Sequence, residues 1–557
     1  MEKSTIKRKI LSNLKNHPSL SKFTWQWMSK KSLKETKEEE AEKVKIPTSM
    51  EEKEKIKVDF LRRTEGRVLT KGDLQRLGQE SNLSYIEILK LCQEQVNEGK
   101  GEWLSGLERN RMGWRCQRCG ETKVEEWISI YGRAATCPSC ASLGSLSSLN
   151  TLYRSLNNQN KATNENNGVS RNNTSRNNTI SRDDVVIRNK FNEVNTSFAK
   201  SKIIFSPRWE LTPAQKKAAE EILSFVKSEE PQGQVNSLFE KGFQHKKGFQ
   251  KEILLWAACG AGKTEVCFPA AAWALNNNQK VLFAAPRQDV VWDIAPRLEG
   301  DFPNLSLGVH TGTSPQRFTP SQFVVATTHQ ILRFYQAFDL IFLDEMDAFP
   351  YYGNKALAWG IEKALKDTGK IVYLTATPSP ESLQKVKRGK MQLLTLPARH
   401  HGHPIPVPQW KKFTGNPDPR QGNAEKVIKN LLPRIEELGK AGPILLFVPQ
   451  ISWVNPWVQL LQEFLPQRSI EGSFSSDPNR REKIENLRKG SFQLFVCTSI
   501  LERGVTFPRA QVIVLGADHE IFDERSLVQM AGRVGRSREC PTGTALFLAP
   551  KTTPAIK

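Results

Sequence analysis

The sequence predicts an α/β fold: two parallel-sheet lobes in tandem, preceded by a small four-cysteine module and a mostly helical N-terminal region. Three observations carry this. After residue 205, short apolar runs ("EILLWAA", "KVLFAAP", "QFVVATT", "LIFLDE", "KIVYLTAT") alternate with helical stretches. A second series ("PILLFVP", "FQLFVCT", "QVIVLG", "TALFLAP") follows residue 440. Buried strands separated by helices build parallel sheets, and two series give two lobes. Upstream stand two Cys-x-x-Cys pairs, at 116–119 and 137–140. Between them and the first lobe the chain turns to Asn, Ser, Thr and Arg, which cannot fill a core.

Taken in order, residues 1–105 form a charged, helical region. "KKSLKETKEEEAEKVK" mixes both signs at helical spacing and reads as a solvated helix or arm. Leu74, Leu77, Leu83, Ile86, Leu89 and Leu91 are spaced to form a small two-helix core. Residues 106–150 carry the cysteines, with "VEEWISIYG" expected as the second strand of a hairpin between the pairs. Residues 151–204 read as a linker containing the repeat "RNNTSRNNT". Lobe 1 is expected over 205–396, with "PQGQVNSLFEKGFQHKKGFQ" as a surface insertion, and lobe 2 over 397–557. The lobes join near "LPARHHGHPIPVPQ".

The formal net charge over the 557 residues is +22, which speaks about partners rather than fold. Nucleic acid rewards clustered Lys and Arg, and an anionic membrane surface is the second candidate. No run of eighteen apolar residues exists, and the first twenty lack the apolar core of a signal peptide. A cytosolic location is therefore expected, where disulfides are disfavoured.

"AACGAGKT" at 257–264 lies between a strand and a helical stretch. Gly260 and Gly262 permit the tight turn that aims backbone N–H groups at phosphate oxygens, at the start of the following helix. Lys263 can reach the β- and γ-phosphates of ATP, and the Thr264 hydroxyl can hold Mg²⁺. "LIFLDEMD" brings Asp344 to the end of a buried strand as the second Mg²⁺ group, with Glu345 beside it to orient and deprotonate the attacking water. Asp347 is expected to pair with a base of the other lobe. Gln215, in "LTPAQ", carries an amide suited to one adenine edge. In "QMAGRVGR", Arg533 and Arg536 are three apart, so a helix would put both on one face, towards the γ-phosphate; Gln529 begins that segment. Thr375 and Thr377 in "LTATP" suit a relay of nucleotide state. Arg503, Gly504 and Thr506 in "TSILERGVTF", and Arg287 in "APRQDVVWD", suit contact with phosphate or a strand backbone.

Cys116, Cys119, Cys137 and Cys140, with seventeen residues between the pairs, have the spacing of a tetrahedral Zn²⁺ site. The other five cysteines are scattered and read as packing residues. Trp114, Arg115, Arg118, Lys123 and Arg133 surround the knuckles, and their residue types serve a DNA handle or a docking surface equally.

Gln215, "GAGKT", "APRQDV", "DEMD", "TATP", "LERGVT" and "QMAGRVGR" together resemble the ordered motifs of superfamily-two helicases, across residues 205–557. That resemblance implies two RecA-like lobes with ATP between them. With the upstream cysteines, "DEMDAFP" and the lobe junction, the whole chain resembles the ComFA family, the ATPases of DNA uptake in competent Gram-positive bacteria. The family implies ATP-driven pulling of single-stranded DNA at the inner face of the membrane. It further implies docking with the uptake channel and with a ComF-type phosphoribosyltransferase-like partner; an oligomer is compatible. The Asn-rich stretch matches no part of the family pattern. A replication-restart helicase of the PriA type or an RNA helicase shares such a motor core. A nucleotide-gated zinc scaffold with little turnover is the reading from another class.

Overall fold

The computed structural model describes residues 50–156, 202–228, 251–314, 317–421, 424–501 and 507–557. The charged stretch near 30–45, the Asn-rich linker, the insertion before lobe 1, and Arg503, Gly504 and Thr506 lie outside the described residues.

Lobe 1 is built on a seven-stranded parallel sheet. In spatial order its strands are Leu307–His310, Phe323–Thr327, Val281–Ala285, Phe338–Leu343, Leu365–Thr375, Glu252–Ala257 and Gln392–Leu396. The five-residue strands Val281–Ala285 and Phe323–Thr327 are buried throughout, as sheets covered on both faces require. The order decides where the chemistry sits. The strands that end in the phosphate loop and in Asp344 flank the strand that ends in Thr375. All three segments thus emerge together at one edge of the sheet. Lobe 2 repeats the plan with six parallel strands, in the order Gln409–Lys412, Ala545–Ala549, Gln511–Leu515, Ile444–Phe447, Leu494–Cys497 and Ile470–Ser473.

The N-terminal region differs from expectation in two ways. Leu74 and Leu77 are buried, but Ile86 is 65% exposed, and Ile88 and Cys92 take its place in the core. A capping box between Ser84 and Glu87 fixes the start of the helix Tyr85–Asn97, whose phase turns Ile88 and Cys92, not Ile86, to the core. The expected linker also starts later. Thr151–Ser155 is a strand, paired antiparallel with Gly101–Ser105 and with Val68–Leu69. The four-cysteine segment is therefore an insertion between two paired strands of the N-terminal unit. That unit leans on lobe 1: Val68 N–H donates to Arg333 O at 2.7 Å, Tyr335 N–H donates to Gly66 O at 2.8 Å, and Arg333 pairs with Asp73.

Within the insertion, Leu107–Asn110 pairs with Gly113–Cys116, and Glu125–Ser129 pairs with Gly132–Cys137. "VEEWISIYG" thus supplies the first strand and the turn of its hairpin, not the second strand. The residue opposite Trp127 is Ala134, which completes a ladder the cysteine spacing alone did not indicate.

Candidate nucleotide and zinc sites

At the phosphate loop, Gly260 and Gly262 have φ of +81° and +75°, conformations that disfavour any side chain. Gln215 packs so closely that a Cβ on Gly262 would stand 2.4 Å from its Nε2. A 3-10 turn, Glu265–Cys267, follows the loop, and the α-helix begins only at Phe268. The cradle is thus followed by a tighter turn before the helix that the sequence placed after it. Pro269 explains the delay, since proline lacks an N–H and sits best in a helix's first turn. Lys263 Nζ lies 2.9 Å from Asp344 Oδ1. Burial lowers the affinity of this amine for its proton, but the carboxylates of Asp344, Glu345 and Asp347 outweigh burial and raise its pKa.

Asp344 Oδ1 also accepts from Glu345 N–H at 2.8 Å. Glu345 itself has φ of +53°, a left-handed backbone that is costly for a non-glycine residue and gathers at functional sites. Its Oε2 is buried with no hydrogen-bond partner among the described residues. Both oxygens of Asp347 accept hydroxyl donors of lobe 1, from Thr375 and Thr377, each at 2.6 Å. Thr375 Oγ1 in turn accepts from Thr377 N–H at 3.0 Å. The acidic segment and the threonine segment are one hydrogen-bonded unit.

Gln215 is buried, and its amide is engaged by protein: Nε2 donates to Ala261 O at 2.8 Å and Oε1 accepts from Thr212 N–H at 2.9 Å. It braces the phosphate loop. Beside it lies a pocket of about 230 Å³ lined by Trp209, Leu211, Lys216, Glu265, Phe268 and Pro269, among others. This base-sized hollow was not read from the sequence. Trp209 precedes the motif by too little to form any periodic pattern, and its 70% exposure carries its own signal only in three dimensions.

Lobe 2 meets this site directly. Cys259 Sγ donates to Gln529 Oε1 at 3.4 Å, and a Cβ on Gly532 would stand 2.6 Å from Cys259 Cβ. The helix Glu524–Ala531 stops before either arginine, so the expectation of one helical face is corrected. Gly532 and Gly535, the latter with φ of +63°, turn the chain instead. Arg536 Nε donates to Gly532 O at 2.8 Å, and its Cγ lies 3.8 Å from the Cβ position of Gly260. Arg533 is almost wholly buried within lobe 2. Gln529 Nε2, like Glu345 Oε2, is a buried polar atom without a partner among the described residues. Such orphaned atoms at a glycine-lined cradle fit a bound triphosphate with its metal.

Further along the seam, Arg287 Nη1 donates to Ser499 O at 2.8 Å. Arg480 pairs with Asp289, Arg488 with Asp293 at 3.0 Å, and Arg481 covers the Trp292 ring at 5.3 Å. The helix Gln288–Asp301 of lobe 1 is thus bound by charge to the helix Arg480–Arg488 of lobe 2.

The four cysteine sulfurs are all buried, and they lie within 4.8 Å of one another. Separations of 3.7 Å for Cys116–Cys140 and 3.5 Å for Cys119–Cys137 approach the ~3.8 Å edge of a ZnS₄ tetrahedron with ~2.3 Å bonds. The donor set fits zinc. Arg118 is 2% exposed and donates from Nε to Cys140 Sγ at 3.2 Å and from Nη2 to Gly144 O at 2.5 Å. It steadies the thiolates and is not an open DNA handle. Neighbouring thiols, Cys116 first, and the Arg118 guanidinium hold Cys140 far below the usual thiol range. Trp114 packs into the apolar cluster that the cysteines share with lobe 1.

Two sheet lobes with a glycine cradle on one wall and an arginine-bearing turn on the other define a helicase-type ATPase. Residues 208–380 match the family model described as "Type III restriction enzyme, res subunit", and residues 423–538 match "Helicase conserved C-terminal domain". The chain is 32% identical over 455 residues to the competence protein ComFA of Bacillus subtilis, covering 80% of this chain and 83% of that one. It is 33% identical over 481 residues to ComFA of Streptococcus pneumoniae, covering 86% and 96%. Among solved structures it is similar to Mss116p bound to single-stranded RNA and AMP-PNP, at 17% identity, with a TM-score of 0.47 and coverage of 61% and 69%. The chain belongs to the ComFA family of competence proteins. Among the described residues no helix is long and apolar enough to cross a membrane.

Proposed function

We propose that this chain hydrolyses ATP between its lobes to pull single-stranded DNA into the cytosol during natural competence. The reading rests above all on one contact: the Gly532–Arg536 turn of lobe 2 lies against the phosphate loop of lobe 1. Lys263 and the loop N–H groups hold the phosphates. Thr264 and Asp344 would hold Mg²⁺, which when bound would supply positive charge beside the phosphate oxygens. Glu345 orients the attacking water and takes its proton. Arg536, with Arg533 behind it, faces the charge that develops on the transferred group. Gln215 braces the loop, and the pocket beside Trp209 receives the base.

Movement follows from the seam. Asp347, Thr375 and Thr377 carry the state of the acidic segment towards the lobe interface. Arg287 is the candidate grip on the strand backbone, exchanging the Ser499 carbonyl for a phosphate. Arg503, Gly504 and Thr506 remain proposed on motif position alone. A net charge of +22 supports a polyanionic track. Zinc is the structural ion of the cysteine cluster. The boundaries proposed for the lobes are 205–396 and 397–557, with the zinc module at 106–150. The uptake channel and a ComF-type protein are the proposed partners, at the inner face of the membrane.

The test is ATP turnover with single-stranded DNA, duplex DNA and RNA, on a sample of known zinc content. Turnover should rise with single-stranded DNA and disappear in Lys263→Ala. Preference for RNA would favour an RNA helicase. Turnover indifferent to every nucleic acid would sink the motor reading and favour a nucleotide-gated scaffold.

A further inference from the structure

We propose that Arg399, in the junction between the lobes, is a positioning residue that sets where the Arg536 guanidinium stands. The inference rests on the ATP-hydrolysing reading and deepens it.

Arg399 follows the last strand of lobe 1, Gln392–Leu396, by three residues. It is 3% exposed. Its Nε donates to Cys259 O, in the phosphate loop, at 3.0 Å. Its Nη1 donates to Val534 O at 2.6 Å and to Gly535 O at 2.5 Å, and its Nη2 donates to Gly532 O at 3.2 Å. One planar fork therefore binds four carbonyls on two lobes. His401 adds a ring-nitrogen contact to Gly535 O at 3.0 Å, and His400 one to Gly260 O at 3.1 Å.

The turn requires such a partner. The helix ends at Ala531, so the carbonyls of Gly532, Val534 and Gly535 lie past a helix end with no further helical turn to donate to them; Gly532 O also accepts from Arg536 Nε, and Gly535 O also meets the His401 ring. Val534 O is met by Arg399 Nη1, and a buried carbonyl left unmet costs on the order of 1–3 kcal/mol. Gly535 cannot carry a side chain here, because a Cβ would meet Pro541 O at 2.3 Å. The turn is thus shaped to leave its carbonyls facing Arg399. Arg536 is the next residue after Gly535, and both guanidinium side chains border the Cβ position of Gly260, at 3.7 Å for Arg399 Nε and 3.8 Å for Arg536 Cγ. Arg399 spends its donors on backbone and leaves Arg536 as the cation turned to the site. Because Arg399 is part of the covalent link between lobes, hinge motion there is felt at once by the turn and by the loop. A lysine in its place has a point charge and no fork, and cannot span these carbonyls.

The experiment is a mutant cycle of Arg399→Ala, Arg399→Lys, Arg536→Ala and the double alanine variant, in the full chain with Zn²⁺, ATP and saturating single-stranded DNA. Arg399→Ala should lower kcat by ~10- to 100-fold while KM for ATP changes less than about threefold, as for displacement of a catalytic group. The double variant should be no slower than Arg536→Ala alone, since Arg399 acts through Arg536. Losses that multiply, or a kcat for Arg399→Ala within about twofold of wild type, would overturn the proposal. Should Arg399→Ala fail to fold, Arg399→Lys carries the same test: it should keep fluorescent-nucleotide binding and lose kcat, and full activity would refute the fork's role. A wild-type chain with no Lys263-dependent turnover would instead remove the ATPase reading, and is told apart by that control.

Discussion

Lys263 Nζ stands 2.9 Å from Asp344 Oδ1, an ion pair that links the phosphate loop to the end of the acidic strand. Asp344 is buried, so removing either partner strands the other charge away from water. Lys263→Ala and Asp344→Asn should each reduce ATP turnover by more than ~100-fold. Glu345→Gln should do the same while nucleotide still binds, because its Oε2 makes no hydrogen bond within the described protein that the change would break. Single-turnover assays beside fluorescent-nucleotide titration separate the two effects. An Asp344→Asn chain with normal turnover contradicts the assignment.

The Asp347 carboxylate is held by two hydroxyls at 2.6 Å, and Thr375 is fully buried. Thr375→Val keeps the shape and deletes the hydroxyl that donates to Asp347 and accepts from Thr377 N–H, at a cost of about 1–3 kcal/mol for the carboxylate bond alone. The expected result is selective: basal turnover within about threefold of wild type, with stimulation by single-stranded DNA reduced ~10-fold. Equal losses with and without DNA would mean that the bond serves the hydrolytic site alone.

The strands, their alternation with helices, the cradle glycines and the cysteine pairs were legible because each imposes a local pattern. Ala284 and Phe342 sit in runs that can only be buried strand, and both lie fully buried on paired strands inside the sheet. Arg399 was not legible. Its meaning lies in carbonyls at 259, 532, 534 and 535, up to 140 positions away, and no residue type announces a carbonyl. The end of the helix at Ala531 was hidden similarly: "AGRVGR" carries two glycines, yet three-residue arginine spacing looks helical until the tertiary contact is seen. Trp114 and Arg118 were ambiguous for the opposite reason. Basic and aromatic residues suit both a DNA surface and a packed interior, and burial decided for Arg118.

His310 gives a pH dependence with a definite sign. Burial, then the charges of Arg67, Arg333 and Arg317, lower its pKa from 6.5 to about 3; Asp73, also lining this small cavity, is paired with Arg333. The unfolded chain takes up a proton near pH 6.5 that the folded chain refuses until about 3, so this group's contribution is intact above 6.5 and is lost as pH falls towards 3. The loss is roughly 1.4 kcal/mol per pH unit within that window. Urea unfolding at pH 7.5 and 5.0 should therefore show a larger drop in the first midpoint for wild type than for His310→Gln. Equal drops would place the acid sensitivity elsewhere.

Zinc should matter to the motor as well as to its own module. Cys116, Cys119, Cys137 and Cys140 belong to one apolar cluster with Leu254, Ile341 and Ile371 of the lobe 1 sheet. The docking is specific: Lys363 donates to Gln117 O at 2.9 Å and lies over the Trp359 ring at 4.2 Å, and Gly120 lies so close to that ring that a Cβ would stand 2.7 Å from it. Trp359 is on the helix Lys355–Ala364, which follows the acidic strand and precedes the strand ending in Thr375. Unfolding the knuckles would expose that helix and loosen both strands at the hydrolytic site. Cys116→Ser should thus lose zinc, lower the melting midpoint of lobe 1 by more than about 5 °C, and reduce DNA-stimulated turnover with it. Trp359→Ala should retain the metal but share part of the loss, because it breaks the docking and spares the ligands. Zinc content, calorimetry and turnover on the same three samples decide the matter: a zinc-free chain with an unchanged midpoint and normal turnover would show that the knuckles are an independent attachment.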